Sequence, residues 1–317
     1  MKRKWLGSVL VGLGAFLVVA AVVAQVWVPD MVKRTPIDVN NTTYLDGQAA
    51  HLNPNTGKLE HDPVYALQIN QSDSNKSDGD VAVFLQNTCV VIDTGQQPRV
   101  CVSAKDPNLL TDSVDIFASD RHTAMTLNDP KYLPSDAVPH HGLTNKWPFS
   151  AQKETYPYWD DTLGKAVDAV YNRTSEVKGT EAYVYRVTIK DAPTDVLTGV
   201  KGTYDDLKEI YIDPRTGAIL NTTENQQRYL EDGTKILDLQ LEFTPWTQQS
   251  KVDEANTKWD QIYLVTHTVP IVGYAVGIPV LLVGLLLLFL HRRGSGTAGT
   301  KAEVAVPQAP RPTEPVG

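Results

Sequence analysis

Hydrophobic residues concentrate in two long runs near the ends of the chain, and between these runs hydrophobic and polar positions alternate. The second run, Val269–Leu290, contains no charged side chain over 22 residues, and a histidine and two arginines follow it directly. At ~1.5 Å of rise per residue, a helix of this length covers the ~30 Å hydrocarbon core of a bilayer. Such a helix also satisfies its own backbone polar groups. The pattern therefore predicts a transmembrane helix over residues 268–290.

The first apolar run predicts another transmembrane helix, over residues 5–28. A cleaved signal peptide is the alternative, because Val22, Val23 and Ala24 loosely match a small-residue cleavage site. The run is longer than the ~7–15 apolar residues of a typical signal peptide, which favours an uncleaved helix. Basic residues lie on the outer side of both runs. The positive-inside rule then places the protein in the plasma membrane, with residues 1–4 and 291–317 cytoplasmic and residues 29–267 extracytoplasmic.

Small residues recur along both predicted helices, and their spacing suggests close helix packing. They are Gly7, Gly14 and Ala21 in the first helix, and Gly273, Gly277 and Gly284 in the second. Such faces let two helices approach closely, either against each other or between copies in a homo-oligomer. The ordinary glycine content of membrane helices explains the pattern equally well.

The part between the two runs has the alternation of β-strands. Strands are predicted at Val64–Ile69, Val81–Leu85, Thr88–Asp93, Arg99–Ser103, Ser113–Phe117, Tyr183–Ile189 and Ile236–Phe243. Glu209–Leu220 predicts a hairpin, because Asp213 and Pro214 initiate a turn and Gly217 supplies a positive φ. Helices are predicted around Thr162–Tyr171 and from about Ser250 to His267. The predicted fold class is a mainly β (α+β) extracytoplasmic domain, anchored by an N-terminal and a C-terminal transmembrane helix.

Charge is distributed unevenly along the chain. Residues 29–267 carry 35 of the 37 acidic and 22 of the 29 basic residues, a net charge of −13, whereas the flanks carry +5. Because nucleic-acid contacts demand clustered basic residues, nucleic acid is excluded as a partner. The predicted helices make membrane lipids partners instead. Residues 291–317 end in a low-complexity segment rich in Pro, Ala and Gly, which predicts a disordered tail.

The two cysteines, Cys89 and Cys101, flank a turn-like segment between two Val-rich runs. On facing strands of a hairpin, their sulfurs can bridge if the Cβ atoms lie within reach. Outside the cytosol such a pair is expected to form a disulfide. The alternative is a pair of buried free thiols, and two cysteines alone do not make a metal site.

Residues 120–161 hold the highest concentration of reactive side chains. The candidate metal ligands are His122, His140 and His141 with Asp120, Asp129, Asp160 and Asp161. They show no HExxH or comparable ligand spacing, so no metal site and no cofactor are predicted. The chain contains no GxSxG elbow, phosphate-binding loop or GxGxxG after a strand, so no catalytic residue is assigned and a non-enzyme is predicted. A glycosidase-type carboxylate pair stays open, because its partners meet only in the fold.

The same section contains a dense aromatic cluster punctuated by prolines. Its members are Trp147, Phe149, Tyr156, Tyr158 and Trp159. Such a cluster can line an apolar or sugar-stacking groove, which makes these residues the candidate ligand-binding site. The simpler alternative, that these rings form the core under a long loop, is favoured because aromatic side chains dominate cores.

Four segments carry a resemblance to a known family: DRHTAM, HHGLTNKWPF, KETYPYWDDTLGKAV and YIDPRTGAILNTTENQQRYL. With the two terminal helices around a large domain, they resemble the actinobacterial porin PorA family. The resemblance implies an actinobacterial envelope protein that helps to build or export cell-wall lipids or lipoglycans, or contributes to permeability. A porin in the usual sense is a closed barrel of amphipathic strands, whereas two apolar helices would stop this chain in the inner membrane.

We therefore expect a non-enzymatic cell-envelope protein that binds or passes a lipid or glycolipid, or scaffolds envelope-biosynthesis proteins. This interpretation predicts a continuous apolar groove in contact with the aromatic cluster. The alternative is a porin-like channel built by oligomerised helices or domains. A wall-glycan hydrolase is a third hypothesis, and it requires carboxylates or a His/Asp site that converge in one cleft.

Overall fold

The computed structural model describes residues 2–53 and 56–294, which form two compact units. One unit contains the described residues of Met1–Val28 and Val265–Gly317, and the other is Pro29–Leu264. The helices are α1 (Lys2–Val26), α2 (Val28–Val32), α3 (Pro245–Tyr263) and α4 (Val269–Gly294), with a π-helical turn at Leu264–Thr268. The strands are β1 (Asn40–Asn53), β2 (Lys58–Ser72), β3 (Val81–Ile92), β4 (Leu109–Asp120), β5 (Thr126–Leu127), β6 (Tyr156–Asp160), β7 (Lys165–Val177), β8 (Thr180–Leu197), β9 (Val200–Ile212), β10 (Ile219–Leu230) and β11 (Lys235–Phe243).

In the first unit, α1 and α4 pack against each other in antiparallel orientation. Gly7 faces Leu288 near one end of the pair, and Ala21 faces Gly273 near the other. The N-terminal end of α1 therefore lies beside the C-terminal end of α4. The stretches Trp5–Val26 and Pro245–Arg293 are each long and apolar enough to cross a membrane.

Glycines bring the two helices into close contact at the middle of the pair. A Cβ on Gly14 would lie 2.5 Å from the backbone nitrogen of Leu281, whereas a Cβ on Gly12 would meet open space. A side-chain hydrogen bond from the Tyr274 hydroxyl to Gln25 Oε1, 3.0 Å long, adds a polar contact. Packing of the two helices within one chain, which is one use that the sequence leaves open for these small residues, is observed.

The second unit is built on one 11-stranded antiparallel sheet that curves into a half-barrel. Its strand order is β5-β4-β3-β2-β1-β11-β10-β9-β8-β7-β6. Strands β1–β5 form one meander and strands β6–β11 form another, and the two join where β1 pairs with β11. The short strands β5 and β6 form the two edges. The mainly β class is confirmed, together with two apolar helices at the termini.

A short backbone segment connects the two edges of the sheet. The Thr126 N–H on β5 donates to Gly142 O at 2.9 Å, and the Leu143 N–H donates to Pro157 O on β6 at 2.8 Å. Trp159 then donates its N–H to Leu143 O at 2.7 Å. Gly142 adopts φ +90°, and a Cβ there would lie 2.4 Å from Pro157 O, so this crossing requires glycine. We call this junction, in which residues 142–143 bridge β5 and β6, the seam.

The core of the second unit has several parts, because an 11-stranded sheet has two faces to cover. The largest cluster packs Leu143, Trp147, Tyr185, Tyr204 and Ile210, all at most 1% exposed. Helix α3 covers another part of the sheet through Val252 and Ala255. It begins at Pro245 after the N-cap Thr244, whose Oγ1 accepts from the Thr247 N–H at 3.1 Å.

Several sequence predictions agree with these elements. The predicted hairpin is present, since β9 ends at Ile212 and β10 begins at Ile219. The second helix predicted in this domain is present as α3, which begins five residues earlier and ends at Tyr263, before the π-helical turn. The predicted disulfide is also present, with the Cys89 and Cys101 sulfurs 1.98 Å apart.

Other predictions are wrong. Thr162–Tyr171 is not a helix, because most of it belongs to β7, which pairs with β6 and β8. Val81–Leu85 and Thr88–Asp93 are not separate strands, because continuous pairing with β2 and β4 merges them into β3. Arg99–Ser103 forms no strand, so Cys101 reaches β3 from a loop. The predicted disordered tail falls largely on residues 295–317, outside the described residues.

Candidate functional site

The concave face of the sheet encloses a cavity of about 900 Å³ within the second unit. Its walls come from alternate residues of β1, β2, β3 and β11, from residues of β4, β6, β9 and β10, and from α3. The volume is that of a small-molecule or lipid site, which typically spans ~300–1,000 Å³. A cavity in contact with the aromatic cluster is therefore present, but its lining mixes apolar and polar side chains and is not the continuous apolar groove that the sequence predicts.

The floor of the cavity is apolar where the two meanders meet. Leu45 on β1 lies opposite Ala66 on β2, and Ala66 lies opposite Val90 on β3. Leu239 and Leu241 extend this surface along β11, and all five residues belong to one hydrophobic cluster. This floor can take the apolar part of a ligand, because each Å² of apolar ligand surface removed from water contributes ~25 cal/mol.

A row of amide side chains crosses the same face, four residues from the apolar floor on each of β1, β2 and β3. Asn41 on β1 pairs with Asn70 on β2, which pairs with Gln86 on β3. All three side-chain oxygens are buried and accept no hydrogen bond from the residues that the structure describes, and all three residues line the cavity. A buried acceptor without a donor costs ~1–3 kcal/mol, so this row is suited to hydroxyl groups or water brought in by an occupant.

An ionic cluster lies on the opposite wall, on β9 and β10. Lys208 Nζ is 3.3 Å from Glu224 Oε1 and 3.5 Å from Asp206 Oδ2. Burial raises the pKa of Asp206 to about 8, so this carboxyl holds its proton at neutral pH. Burial opposes the charge on Lys208, but the carboxylates of Glu224 and Asp206 outweigh it and raise the pKa of Lys208. The cavity therefore contains a fixed positive charge beside Glu224.

A second lysine enters the cavity from the segment before β6. Burial lowers the pKa of Lys146 to about 7, and its Nζ lies 3.7 Å from the centre of the Phe149 ring. Nζ also donates to Trp147 O at 3.1 Å. At neutral pH this amine is therefore only partly charged, which lowers the cost of its burial.

The five aromatic residues singled out in the sequence occupy different places. Phe149, Tyr158 and Trp159 line the cavity, whereas Trp147 is fully buried behind it and Tyr156 packs against the same core. Trp147 stacks on Tyr158 with ring centres 5.6 Å apart. Burial raises the pKa of Tyr158 to about 12, so its hydroxyl stays protonated. The cluster thus serves partly as core and partly as cavity wall.

The candidate metal ligands also separate in the fold. Asp120 caps its own turn by accepting from the N–H groups of His122 and Thr123, and His141 is exposed. His140 and Asp161 do come together, and the structure adds Asp115 on β4, which sequence reasoning missed. Asp115 lies 25 residues before His140 on another strand, so no local spacing could reveal it.

Asp115, His140 and Asp161 form a compact group at the seam. His140 Nε2 is 2.7 Å from Asp115 Oδ2, and the ligand atoms of all three lie within 4.8 Å of one another. Burial disfavours the charged ring, but the hydrogen bond and charge of Asp115 outweigh it and raise the pKa of His140. Asp161 lines the cavity with an exposed side chain. Partial desolvation and, after it, the charge of Asp115 raise its pKa to about 6.

Comparisons with known proteins agree with the sequence motifs. The family described as Porin PorA matches residues 6–286. A protein named Porin PorA from Corynebacterium amycolatum is 26% identical over 229 residues, which cover 60% of this chain and 58% of that protein. Among solved structures, a LolA superfamily protein from Nitrosomonas europaea covers 73% of this chain and 91% of its own, at 11% identity. Its TM-score is 0.17, and a score this low supports no conclusion about the fold.

Proposed function

The chain belongs to the porin PorA family, and on that premise we propose that it is a non-enzymatic envelope protein whose cavity binds a lipid or lipoglycan. The observation that carries the proposal is the cavity of about 900 Å³, with an apolar floor beside a row of unpartnered amide oxygens. An amphipathic ligand suits both surfaces. Its apolar part would lie on the floor around Leu239, and its hydroxyl groups would donate to Asn41, Asn70 and Gln86.

The aromatic wall supports the same type of ligand. Phe149 and Trp159 add aromatic surface to the cavity lining, and aromatic rings favour the apolar faces of sugars. Lys208 and Glu224 form an ion pair in the cavity wall, which suits a polar headgroup. Membrane lipids and envelope-biosynthesis proteins are the partners that this function implies, and nucleic acid is not among them.

The experiment is identification of lipids that co-purify with the full-length protein, by mass spectrometry, for wild type and two matched variants. Thr88→Trp places a large side chain in the cavity, because Thr88 lines it. Asn87→Trp puts the same side chain on the other face of β3 and serves as control. We expect wild type and Asn87→Trp to retain the same lipid, and Thr88→Trp to lose at least ~90% of it. Equal retention in all three proteins would contradict cavity binding.

A porin-like role in permeability is the second candidate, and the family name favours it. The described strands form an open sheet rather than a closed barrel, and α1 and α4 are apolar. A conducting pathway would therefore need several copies of the chain. Stepwise conductance of purified protein in planar bilayers would favour this candidate, whereas a silent bilayer containing correctly inserted protein would count against it.

The proposed location is the plasma membrane, with both termini in the cytoplasm and residues 29–267 outside. The antiparallel pairing of α1 with α4 supports termini on one side, and the flanking basic residues support the cytoplasmic side. A reporter fused near Ser150 tests this orientation. Cytoplasmic activity of that reporter would overturn the location and, with it, the envelope function. Association of several copies through their helices is part of the proposed role in permeability and is not required for ligand binding in the cavity.

A further inference from the structure

Two segments are attached to the β9–β10 turn at one end of the cavity. The segment that precedes β6 is held by the Trp147 N–H, which donates to Gly217 O at 2.8 Å. Gly217 leaves the space for this contact, because a Cβ there would overlap Trp147 O. Helix α3 is held by Asn256 Oδ1, which accepts from Arg215 Nη2 at 2.7 Å. The turn therefore brings the two segments together.

Each of these segments contributes a lysine to the cavity lining. Lys146 lies on the segment before β6, and Lys258 lies on α3, two residues after Asn256. Both lysines are half-buried, and burial, followed by the charge of Lys258, lowers the pKa of Lys146 to about 7. Two basic groups that repel each other thus share this end of the cavity.

The carboxylate that acts on Lys146 is already engaged. Asp213 is fully buried, and its charge favours the charged form of Lys146, against the effects of burial and Lys258. Its carboxylate accepts from Arg215 Nε at 2.8 Å and from Thr216 Oγ1 at 2.7 Å. Among the described residues, Lys146 therefore has no carboxylate as an ion-pair partner.

The acidic residues of α3 that line the cavity have partners of their own. Glu254 Oε2 is 3.8 Å from Lys251 Nζ, and Asp253 Oδ1 accepts from Gln249 Nε2 at 2.9 Å. Both acidic residues are exposed. Within the part of the chain that the structure describes, Lys258 pairs with neither of them. An anion placed between the two unpaired lysines would offset their repulsion.

Two acidic residues of the cavity lining lie at the opposite end of β9. Asp195 pairs with Lys201 near the start of β9, and Asp160 Oδ2 accepts from the Tyr204 hydroxyl at 3.2 Å. The β9–β10 turn follows the other end of this 13-residue strand. At ~3.3 Å per residue, about 40 Å of strand separates the two ends. The distribution of charge therefore favours an anion at the end beside α3.

The amide row lies at the same end as the two lysines. Leu45 pairs with Phe243, the last residue of β11, and α3 begins two residues later. Asn41 lies four residues from Leu45, in the direction of α3. A ligand whose charged group contacts the lysines can therefore also donate hydroxyl groups to the amide oxygens, while its acyl chains lie on the apolar floor.

We propose that Lys146 and Lys258 bind the phosphate group of an anionic phospholipid whose acyl chains occupy the cavity. The inference rests on the proposed lipid-binding function and adds the class of headgroup to it. Lysine ammonium groups are common phosphate binders, and hydrogen bonds between charged groups are the stronger ones.

The test measures which phospholipid the full-length protein retains from an equimolar mixture in detergent. Dioleoyl phosphatidylglycerol and dioleoyl phosphatidylcholine have identical acyl chains, but the choline of the second adds a cation that would lie near the lysines. Mass spectrometry quantifies both lipids after repurification. The amount retained by Thr88→Trp, whose cavity is filled, is subtracted as background. Wild type should retain phosphatidylglycerol over phosphatidylcholine by ~10-fold or more.

Four variants test the two lysines. Lys146→Gln and Lys258→Gln should each reduce the preference ~3-fold or more, and the double variant should bring it below ~2-fold. Lys258→Arg keeps the charge, and Lys165→Gln removes one from an exposed position on β7 outside the cavity. Both should retain the wild-type preference. The total amount of lipid in the cavity should stay unchanged in all of them, which shows that the fold is intact.

Inorganic phosphate distinguishes a lipid headgroup from a free anion. An excess of it, added at constant ionic strength, should leave the preference unchanged, because a bound lipid holds its phosphate at a high effective concentration. Loss of the preference would assign the lysines to a free anion and overturn the proposal.

The outcomes separate this proposal from lipid binding itself. Equal totals in wild type and Thr88→Trp would overturn both. A cavity that retains the two lipids equally, or a preference that survives in the double variant, would overturn the headgroup assignment alone.

Discussion

Lys208 forms a buried ion pair with Glu224, so removing its ammonium group should strongly destabilise the second unit. In Lys208→Met the new side chain keeps most of the length but loses the ammonium group that lies 3.3 Å from Glu224 Oε1. The side chains of Lys208 and Glu224 are 13% and 16% exposed, so water compensates little for the loss. Because Asp206 holds its proton at neutral pH, the charge left unpaired belongs to Glu224.

Breaking a buried ion pair by removing one partner typically costs about 3–5 kcal/mol, and we expect a loss of that size. The matched control is Lys201→Met on the same strand, where Lys201 pairs with Asp195 and the two side chains are 70% and 48% exposed. An exposed pair of this kind contributes about 0–1 kcal/mol.

Urea unfolding of the full-length protein in detergent at pH 7, followed by tryptophan fluorescence, measures both losses. Trp147 and Trp159 report on this unit because both are buried in it. If the two variants lose stability equally, within about 1 kcal/mol, then the pairing of Lys208 does not stabilise the cavity wall and the reasoning is wrong.

The remaining predictions concern the disulfide, the buried carboxyl and the helix pair. Replacing Cys89 and Cys101 together by serine should cost about 3 kcal/mol in urea unfolding, because the bridge closes a loop with a sequence separation of 12; a loss below about 1 kcal/mol would contradict this. Asp206→Asn should flatten the pH dependence of stability. The folded carboxyl keeps its proton between pH 3.8 and about 8 while the unfolded one loses it, so wild-type stability falls as pH rises through that range, by up to ~1.4 kcal/mol per unit; parallel curves would refute it. Gly14→Val should weaken the helix pair by about 1–3 kcal/mol in an SDS titration and Gly12→Val should not, since only Gly14 lies against Leu281; equal effects would show that the contact is unimportant.

Local turn chemistry could be predicted from the sequence, whereas pairing between distant strands could not. The hairpin at Glu209–Leu220 was predictable because Asp213, Pro214 and Gly217 encode the turn within a few residues. Strand β1 was not, because it is rich in polar residues such as Asn41 and Thr43, which turn out to line a cavity. The helix predicted at Thr162–Tyr171 failed because pairing with two neighbouring strands overrides a weak helical pattern.

The same limit applies to the candidate site. The aromatic residues of the cavity wall were found because they lie close together in the sequence, and so was His140. The amide row was not, because Asn41, Asn70 and Gln86 meet only through the register of three strands. Which face of a strand is concave depends on the curvature of the whole sheet, and alternation alone does not encode it.

The antiparallel pairing of α1 with α4 constrains the order of biogenesis. A ribosome completes α1 first and α4 last, so Gly14 cannot meet Leu281 until the intervening sheet has been synthesised. Domains generally fold as units during synthesis, with the N-terminal parts first. The first helix therefore lacks its partner α4 throughout translation of the sheet, and the helix pair can form only once α4 has been synthesised.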